Sequence, residues 1–448
     1  MKRRRSPFPA LLLVFAAVLA PPARAQVLSP AEQAAATDSI ARLLRTEYVY
    51  DTTGMRCAAE LRAALPGFRA PAAAAEYAAA MTRRLRSCAG DEHLEVVVAA
   101  PAPPPAPTPP AGPAPAEPEW LPALRARNFD VPQARRLAGN VGYLELTSFP
   151  PPEVAGPTVA AAMALLAHTD AMIVDLRRNS GGTGDMVRFL ATWFFDAPTA
   201  ITATWRRADG RVTEDRTLPY VPSPRRASVP LYVLTSRGTF SAAEAFAFGL
   251  QQLGRATVVG ERTRGDANAG RYRAVGYGLR VFIPMANARS PATGKSWERV
   301  GVAPDLAAPA DSALERAHAE ALRRLAGAAG ADSARARMLR WVVEGVLAGT
   351  RYEDAGACAA LAGRYEGARV VRCAGGRLRY SRGGNPERGL VALGGGDYLL
   401  EGTDDVRLRF ERAGDGTIVL RVLDADGTEV RAPSLPAAAQ AGGADSRR

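Results

Sequence analysis

At positions 171–182 the sequence reads Ala171-Met172-Ile173-Val174-Asp175-Leu176-Arg177-Arg178-Asn179-Ser180-Gly181-Gly182. The first six residues are almost uniformly apolar, which is typical of a β-strand that is buried on both faces of a sheet. The run ends in polar residues and two glycines, after which Asp185–Phe195 has a helical pattern. A buried strand followed by a turn and a helix predicts an α/β fold with a parallel sheet.

The same alternation continues on both sides of this stretch and predicts a core domain over residues 119–340. The predicted strands are Val141–Leu146, Pro230–Thr235 and Ala256–Gly260, the predicted helices are Pro157–His168, Ala242–Leu253 and Asp311–Ala326, and a hairpin is predicted over Arg271–Ala286. Sequential units of strand, helix and strand place the polar turns at one edge of the sheet. Sites in α/β folds lie at that edge.

Two regions of different composition flank the core. Residues 26–95 are rich in alanine and predict a helical N-terminal domain, with helices over Ala31–Tyr48, Arg56–Leu65 and Ala72–Arg86. Residues 101–118 contain ten prolines and predict an extended linker. Residues 350–435 have short strand patterns separated by turns, which predicts a small β domain of sandwich or barrel type, and residues 436–448 predict a disordered tail.

The start of the chain has the pattern of a signal peptide over residues 1–25. A basic start, Lys2-Arg3-Arg4-Arg5, precedes an apolar run, and Ala23-Arg24-Ala25 fits a cleavage site. The apolar run is too short to span a bilayer, so we expect export to the periplasm or the medium without a membrane anchor. Cleavage would lower the formal charge from +12 to about +7.

The charge pattern and the cysteines exclude several classes of protein. The arginines are scattered and form no basic stripe, which argues against a nucleic-acid partner. In an oxidising compartment, the favoured one of three disulfide connectivities is Cys57–Cys88 with Cys358–Cys373. No C-x-x-C motif occurs and the three histidines are far apart, so we expect no metal site, and nothing in the sequence calls for a cofactor.

The strongest chemical signal is Ser241, in the segment Thr235-Ser236-Arg237-Gly238-Thr239-Phe240-Ser241-Ala242-Ala243-Glu244. A serine between a buried strand and a helix presents its hydroxyl at the edge of the sheet where α/β sites lie. The amide of Ala242, at the positive end of the helix, could bind a developing oxyanion. An alternative stays open, because a serine followed by Glu244 three residues later also forms a capping box.

A nucleophilic serine needs a base, and the sequence offers few. After removal of the signal peptide the chain contains one lysine, Lys295, and three histidines. His168 ends a predicted helix, and His318 is expected on the exposed face of another. His93 lies where the helical region gives way to a strand, which makes it the best-placed base, although an ordinary surface histidine would fit the same pattern.

Four motifs occur in order along the core: Asp175-Leu176-Arg177-Arg178-Asn179-Ser180-Gly181-Gly182, Thr239-Phe240-Ser241-Ala242-Ala243-Glu244, Val258-Val259-Gly260-Glu261 and Trp297-Glu298-Arg299-Val300-Gly301-Val302-Ala303-Pro304-Asp305. Together they resemble the C-terminal-processing (tail-specific) serine peptidase family. The resemblance is strongest to the branch that contains the tricorn protease core and interphotoreceptor retinoid-binding protein. It implies a crotonase/ClpP-like core of ββα type, here with an N-terminal helical bundle and a small C-terminal all-β domain.

The resemblance also implies a set of site residues. One sub-type of the family has a lysine 25 residues after the serine, and this chain has Asp266 there, so that dyad is absent. The tricorn-like sub-type uses serine, histidine and glutamate, which correspond to Ser241, His93 and Glu298. The amides of Gly182 and Ala242 correspond to its oxyanion hole. Asn179 and Asp266 are expected at the cleft.

The sequence therefore predicts an exported serine endopeptidase that cleaves peptides or unfolded protein tails through an acyl-enzyme. The alternative, from a different class, is a catalytically silent protein that binds apolar ligands or peptides on the same fold. The presence of Ser241, His93 and Glu298 together favours the enzyme, because a carrier needs none of them. The oligomeric state is left open.

Overall fold

A computed structural model describes residues 26–99, 117–349 and 355–436. The predicted signal peptide, all but two residues of the proline-rich linker and all but one residue of the predicted tail lie outside these described residues. None of the described helices combines the length and the apolar character that crossing a membrane requires.

The N-terminal region contains the three predicted helices, with shifted ends. Its elements are β1 (Val27–Leu28), α1 (Pro30–Glu47), α2 (Asp51–Ala63), β2 (Ala72–Ala73), α3 (Ala74–Ala89) and β3 (Glu95–Val98). Helix α1 begins after Ser29, whose hydroxyl accepts a hydrogen bond from the amide of Glu32, and α3 ends at Gly90 with a φ of 63°. The predicted disulfide Cys57–Cys88 is confirmed and joins α2 to α3.

The core follows the predicted alternation of strands and helices. Its elements are α4 (Leu121–Ala126), β4 (Gln133–Leu137), β5 (Val141–Glu145), α5 (Pro152–Leu165), β6 (Ala171–Asp175), α6 (Gly184–Ala191), β7 (Ala200–Arg206), β8 (Val212–Arg216), β9 (Leu231–Thr235), α7 (Ala242–Gln252), β10 (Thr257–Gly260), β11 (Asn268–Gly276), β12 (Leu279–Arg289), β13 (Leu306–Ala307), α8 (Ala313–Ala328) and α9 (Ala334–Ala348). The α/β class is thereby confirmed.

The central sheet has the strand order β13-β10-β9-β6-β5-β4. Its strands run parallel except for β4, which pairs antiparallel with β5. Every residue of β5, β6 and β9 is buried, because helices cover both faces. Along β6, Met172 and Val174 join a core with α5, α6 and α7, whereas Ile173 faces α8 and α9. The core is therefore three layers thick.

A second sheet, β11-β12-β7-β8, ties the N-terminal region to the core because β3 pairs antiparallel with β12. Four residue pairs form this contact, among them Val96 opposite Val281 and Val98 opposite Leu279. The loop before β3 is thereby held against the core, and that loop carries His93.

The C-terminal region is an antiparallel sheet in sequence order, as the predicted all-β domain requires. It consists of α10 (Ala355–Leu361), β14 (Gly363–Tyr365), β15 (Arg369–Ala374), β16 (Arg377–Arg382), β17 (Arg388–Gly394), β18 (Asp397–Leu400), β19 (Val406–Arg412), β20 (Ile418–Asp424) and β21 (Glu429–Pro433). A bridge between Tyr365 and Ser434 nearly closes it into a barrel. The predicted disulfide Cys358–Cys373 is confirmed and joins α10 to β15.

Some elements differ from the sequence prediction. Helix α5 begins at Pro152 rather than Pro157, because a proline at the first helical position removes no helical hydrogen bond; Pro157 lies inside the helix and removes one. Helix α6 ends at Ala191 and continues as a single 3₁₀ turn over Thr192–Phe194. The hairpin of β7 and β8 and the helix α9 were not predicted. Strand β8 is largely exposed and polar, so it carries no apolar alternation.

Candidate active site

Ser241 lies on a strained turn between β9 and α7. Its backbone has φ 54° and ψ −116°, a conformation that residues with a side chain rarely adopt. A neighbouring turn packs closely against it, since a Cβ added to Gly181 would lie 2.8 Å from the Cβ of Ser241. Strain of this kind persists only where the surrounding structure enforces it, and it concentrates at functional sites.

The hydroxyl of Ser241 meets the imidazole of His93. The distance from His93 Nε2 to Ser241 Oγ is 3.2 Å although 148 residues separate the two positions, so their predicted proximity is confirmed. The ring of His93 lies between those of Phe240 and Phe282, with centroid distances of 4.8 and 5.9 Å. These aromatic contacts fix the plane of the imidazole and keep water from its faces.

The predicted capping box is present in the bond between the Ser241 backbone and the Glu244 side chain. The amide of Ser241 donates to Glu244 Oε2 at 2.9 Å. The buried carboxylate of Glu244 also accepts hydrogen bonds from the hydroxyl of Thr263 and from the amides of Gly265 and Asp266. Glu244 therefore joins the serine turn to the loop at 263–266. The sequence indicated only a capping partner, because the other donors lie some 20 residues away.

Two backbone amides are free beside Ser241. No hydrogen bond from the amide of Gly182 or Ala242 to another protein group is present in the described part of the chain. Gly182 has a φ of 143°, and a Cβ there would lie 2.1 Å from the carbonyl oxygen of Phe149, so the position requires glycine. Both residues line one cavity with Ser241. Free amides at this place can bind an oxyanion.

The cavity beside Ser241 has a volume of about 140 Å³. Its wall is mostly apolar and includes Val187, Ile201 and Trp297, and Asp266 also lines it, as expected of a cleft residue. Asn179 does not. Its side chain is buried, donates to the carbonyl of Leu146 and accepts from the amide of Gly181. Asn179 thus shapes the glycine turn rather than the cleft.

The second ring nitrogen of His93 faces carboxylates, and Glu298 is not the nearest of them. Nδ1 lies 3.7 Å from Asp266 Oδ1 and 3.9 Å from Asp91 Oδ1. The Glu298 carboxylate instead accepts the amide of Ala267 at 2.8 Å, and no ion pair between Glu298 and His93 occurs among the described residues. In this cluster His93 Nδ1, Asp266 Oδ2 and Glu298 Oε1 are buried and have no hydrogen-bond partner among the described residues.

Burial determines the acid–base properties of this cluster. Burial, together with the negative charges of Glu244 and Asp91, raises the pKa of Asp266 to about 7. Burial and the charge of Asp91 raise the pKa of Glu298 to about 8. Burial lowers the pKa of His93, whereas Asp91 opposes that shift. At neutral pH the imidazole is therefore neutral and able to accept a proton.

The ligand atoms of Asp91, His93 and Asp266 lie within 4.8 Å of one another, which is close enough for one metal ion. We assign no metal to them. When Nε2 accepts a hydrogen bond from Ser241, Nδ1 carries the ring proton and has no lone pair for an ion.

The remaining candidate bases lie elsewhere. His318 was predicted to be exposed, and this is wrong: it is buried, and its Nε2 lies 2.8 Å from the carbonyl oxygen of Ala138. The sequence pattern missed this burial because the contact with Ala138 joins positions 180 residues apart. His168 and Lys295 are exposed, and their hydrogen bonds, which include those to Asn140 and Thr293, do not involve the serine turn.

Residues 140–308 match the family model described as Peptidase family S41. The predicted resemblance to the C-terminal-processing serine peptidases is thereby confirmed for the core. The S41 region contains Gly182, Ser241, Asp266 and Glu298, whereas His93 lies before it. The family match therefore does not cover His93, and a role for it rests on its contact with Ser241.

Curated relatives match the same part of the chain. Carboxyl-terminal-processing peptidase 2 of the Arabidopsis thaliana chloroplast is 28% identical over 188 residues, 42% of this chain and 35% of that protein. Carboxyl-terminal-processing peptidase 3 of the same chloroplast is 31% identical over 179 residues, which are 38% of this chain and 32% of that protein. The chain thus spans about a third of the length of these relatives. Among solved structures, the photosystem II D1 C-terminal processing protease has a TM-score of 0.33 at 24% identity, covering 38% of this chain and 43% of that one.

The strain at Ser241 predicts an unusual order of stability between two variants. Ser241→Gly should have a free energy of unfolding about 2 kcal/mol or more above that of Ser241→Ala, because only glycine adopts a positive φ without a steric penalty. At an ordinary helix start glycine would exceed alanine by only about 0.5–1 kcal/mol. Urea unfolding of both variants measures the difference. A difference no larger than that ordinary value would show that the turn is unstrained.

The raised carboxyl pKa values predict how stability depends on pH. Asp266 and Glu298 hold their protons more tightly in the folded than in the unfolded chain, so their contribution is fully present below about pH 4. It is lost as the pH rises through about 7 and 8. Asp266→Asn should therefore flatten the fall in unfolding free energy between pH 5 and pH 8, measured in urea. The exposed Asp311→Asn serves as the control, and a slope unchanged in Asp266→Asn would contradict the raised pKa.

Proposed function

We propose that this chain is a serine endopeptidase that cleaves peptides or unfolded protein tails by way of an acyl-enzyme. The observation that carries the proposal is the contact between Ser241 Oγ and His93 Nε2, at 3.2 Å, beside two free backbone amides. The match of the core to Peptidase family S41 supports the same reaction class.

The geometry supports an ordinary sequence of acyl-transfer steps. His93 Nε2 accepts the proton of Ser241 as Oγ bonds to the substrate carbonyl carbon, and the carbonyl electrons move to the oxygen. The amides of Gly182 and Ala242 stabilise that oxyanion. The imidazolium then gives its proton to the departing amine nitrogen, and the C–N bond breaks. Water, deprotonated by His93, releases the acyl group in the same manner.

Glu298 is proposed as the third member of the triad. Among the described residues its carboxylate forms no ion pair with the imidazole, so Glu298 acts on His93 indirectly. By accepting the amide of Ala267 it fixes the loop next to Asp266, and its negative charge favours the imidazolium. The pKa of about 8 means that this charge is present only in part at neutral pH.

We propose further that the core is of the crotonase/ClpP-like type and that the chain comprises a helical domain over 26–95, a peptidase core over 119–340 and a β domain over 350–435. Export to the periplasm or the medium, with residues 1–25 as signal peptide, is part of the proposal. Two disulfides support it, because such bonds persist in oxidising compartments.

Ser241→Ala should lose hydrolysis of a reduced and alkylated protein substrate by several orders of magnitude, because the nucleophile is gone while the fold remains. It should also lose labelling by a fluorophosphonate probe, which phosphonylates activated serines. Ser87→Ala, which changes an exposed serine on α3, should keep both.

Two outcomes would contradict the enzyme. Hydrolysis that persists in purified Ser241→Ala would assign it to another residue. A parent protein that binds peptides but neither cleaves them nor takes the probe would be the silent binding protein.

At pH 9, where the Glu298 carboxylate is ionised, Glu298→Gln should lower kcat by about two orders of magnitude, because it removes charge that stabilises the imidazolium. Lys295→Ala, three residues away and exposed, should leave kcat unchanged. Hydrolysis rates of both variants, with the fraction of labelled serine as a measure of competent enzyme, test this pair. Loss of activity in Lys295→Ala alone would replace the histidine mechanism with a Ser/Lys dyad.

A further inference from the structure

The ring nitrogen of His93 that faces away from Ser241 needs an acceptor. For Nε2 to accept the serine proton, the neutral ring must carry its hydrogen on Nδ1. Nδ1 is buried and has no hydrogen-bond partner in the described structure. A buried donor without a partner costs about 1–3 kcal/mol, and more once the ring is charged. Some group must therefore take this hydrogen during the reaction.

Asp91 is close, but three of its roughly four acceptor positions are filled. Its Oδ1 accepts the backbone amide of His93 at 3.0 Å. Its Oδ2 accepts the hydroxyl of Tyr48 at 3.0 Å and the side-chain amide of Asn268 at 2.9 Å. These three bonds orient the carboxylate toward the backbone of the loop and toward α1. Asp91 therefore fixes the chain at His93 rather than the ring.

Asp266 has the free capacity and the shorter distance. Its Oδ1, 3.7 Å from Nδ1, accepts one bond, from the amide of Glu92 at 3.1 Å, and its Oδ2 is buried and accepts none. Its own amide donates to Glu244 at 3.1 Å, so the residue is held at both the main chain and the side chain. A movement of less than about 1 Å would close a charge-assisted hydrogen bond, and such contacts tighten in complexes with substrate.

We infer that Asp266 is the positioning residue of His93: its carboxylate accepts the Nδ1 hydrogen, fixes the tautomer and stabilises the imidazolium that forms when Ser241 attacks. The inference rests on the proposed function and assigns to Asp266 the direct contact that the family resemblance gave to Glu298. Glu298 then acts through the loop that carries Asp266.

The charged groups around His93 determine the sign of the pH effect. They are Asp91 and Glu92 on its own loop, Asp266 and Arg264 on the loop after β10, Arg86 on α3, and Glu95 on β3. Asp266 has a pKa of about 7, so the acid limb of the parent reflects protonation of the neighbouring His93 and Asp266 together. Without the aspartate only the imidazole titrates, and burial lowers its pKa. The acid limb of kcat/KM against pH should then move to lower pH, while the plateau falls.

The experiment compares Asp266→Asn, Asp266→Glu and Glu298→Gln with the parent in hydrolysis of one fluorogenic peptide between pH 5 and pH 9. Rates are normalised to the serine that fluorophosphonate labels. Asp266→Asn should lower plateau kcat by about 10²–10⁴-fold and move the acid limb to lower pH. Asp266→Glu, which keeps the charge, should regain at least about tenfold and keep the parent's limb. Glu92→Gln, which removes a neighbouring exposed carboxylate, is the matched control and should stay within about threefold.

The outcomes separate the inference from the proposed function. A parent that neither hydrolyses the peptide nor takes the probe defeats the proposed function. If the parent and Asp266→Asn are equally active, only the role of Asp266 is overturned. A fall in plateau without a shift of the limb would make Asp266 merely structural, and a shift in Glu298→Gln alone would return the contact to Glu298. If Asp266→Asn does not fold, Asp266→Ser, which can still accept the amide of Glu92, makes the same comparison.

Discussion

Four residue pairs between β3 and β12 bring the two halves of the site together. Ser241 belongs to the core, whereas His93 belongs to the loop that leads from α3 into β3. Their contact exists only because β3 adds to the sheet of β11, β12, β7 and β8. The bonds of Asp91 to His93, Tyr48 and Asn268 then fix the loop within that arrangement. The helical region is thus part of the site, since the loop that leaves α3 supplies the histidine that contacts Ser241.

Buried negative charge is the second constraint on the site. Four carboxylates, those of Asp91, Glu244, Asp266 and Glu298, lie around the serine turn and the imidazole. Asp91 and Glu244 each accept at least three hydrogen bonds, which offsets part of the cost of their burial, although burial still raises the pKa of Glu244. Asp266 and Glu298 each keep one oxygen without a donor, and burial raises their pKa values to about 7 and about 8. A fold selected only for stability would not retain such groups, whereas a site that must stabilise an imidazolium gains from them.

What the sequence could predict depends on how local each feature is. The buried strands β6 and β9 and the turn at Ser241 follow from patterns of a dozen residues, and the predictions for them are confirmed. The choice of His93 came from the scarcity of histidines and from the resemblance, and its contact with Ser241 is confirmed. The burial of His318 and the place of Asp266 at Nδ1 depend on packing between segments far apart in the chain. No periodicity encodes such contacts, and the motif around Glu298 pointed to a carboxylate that accepts the amide of Ala267 and is not the nearest one to Nδ1.

Asp266 stands where the lysine of a Ser/Lys dyad would stand, and the charges around it explain why the two arrangements exclude each other. A lysine acts as a base near neutral pH only when burial or neighbouring cations lower its pKa. At position 266 an ammonium group would face Asp91, Glu244 and Glu298, which would hold its pKa high and keep it protonated. An imidazole has the opposite requirement, because its charged form must be stabilised during the reaction. The same carboxylates that would disable a lysine therefore suit a histidine supplied from another segment, and the aspartate at position 266 completes that set.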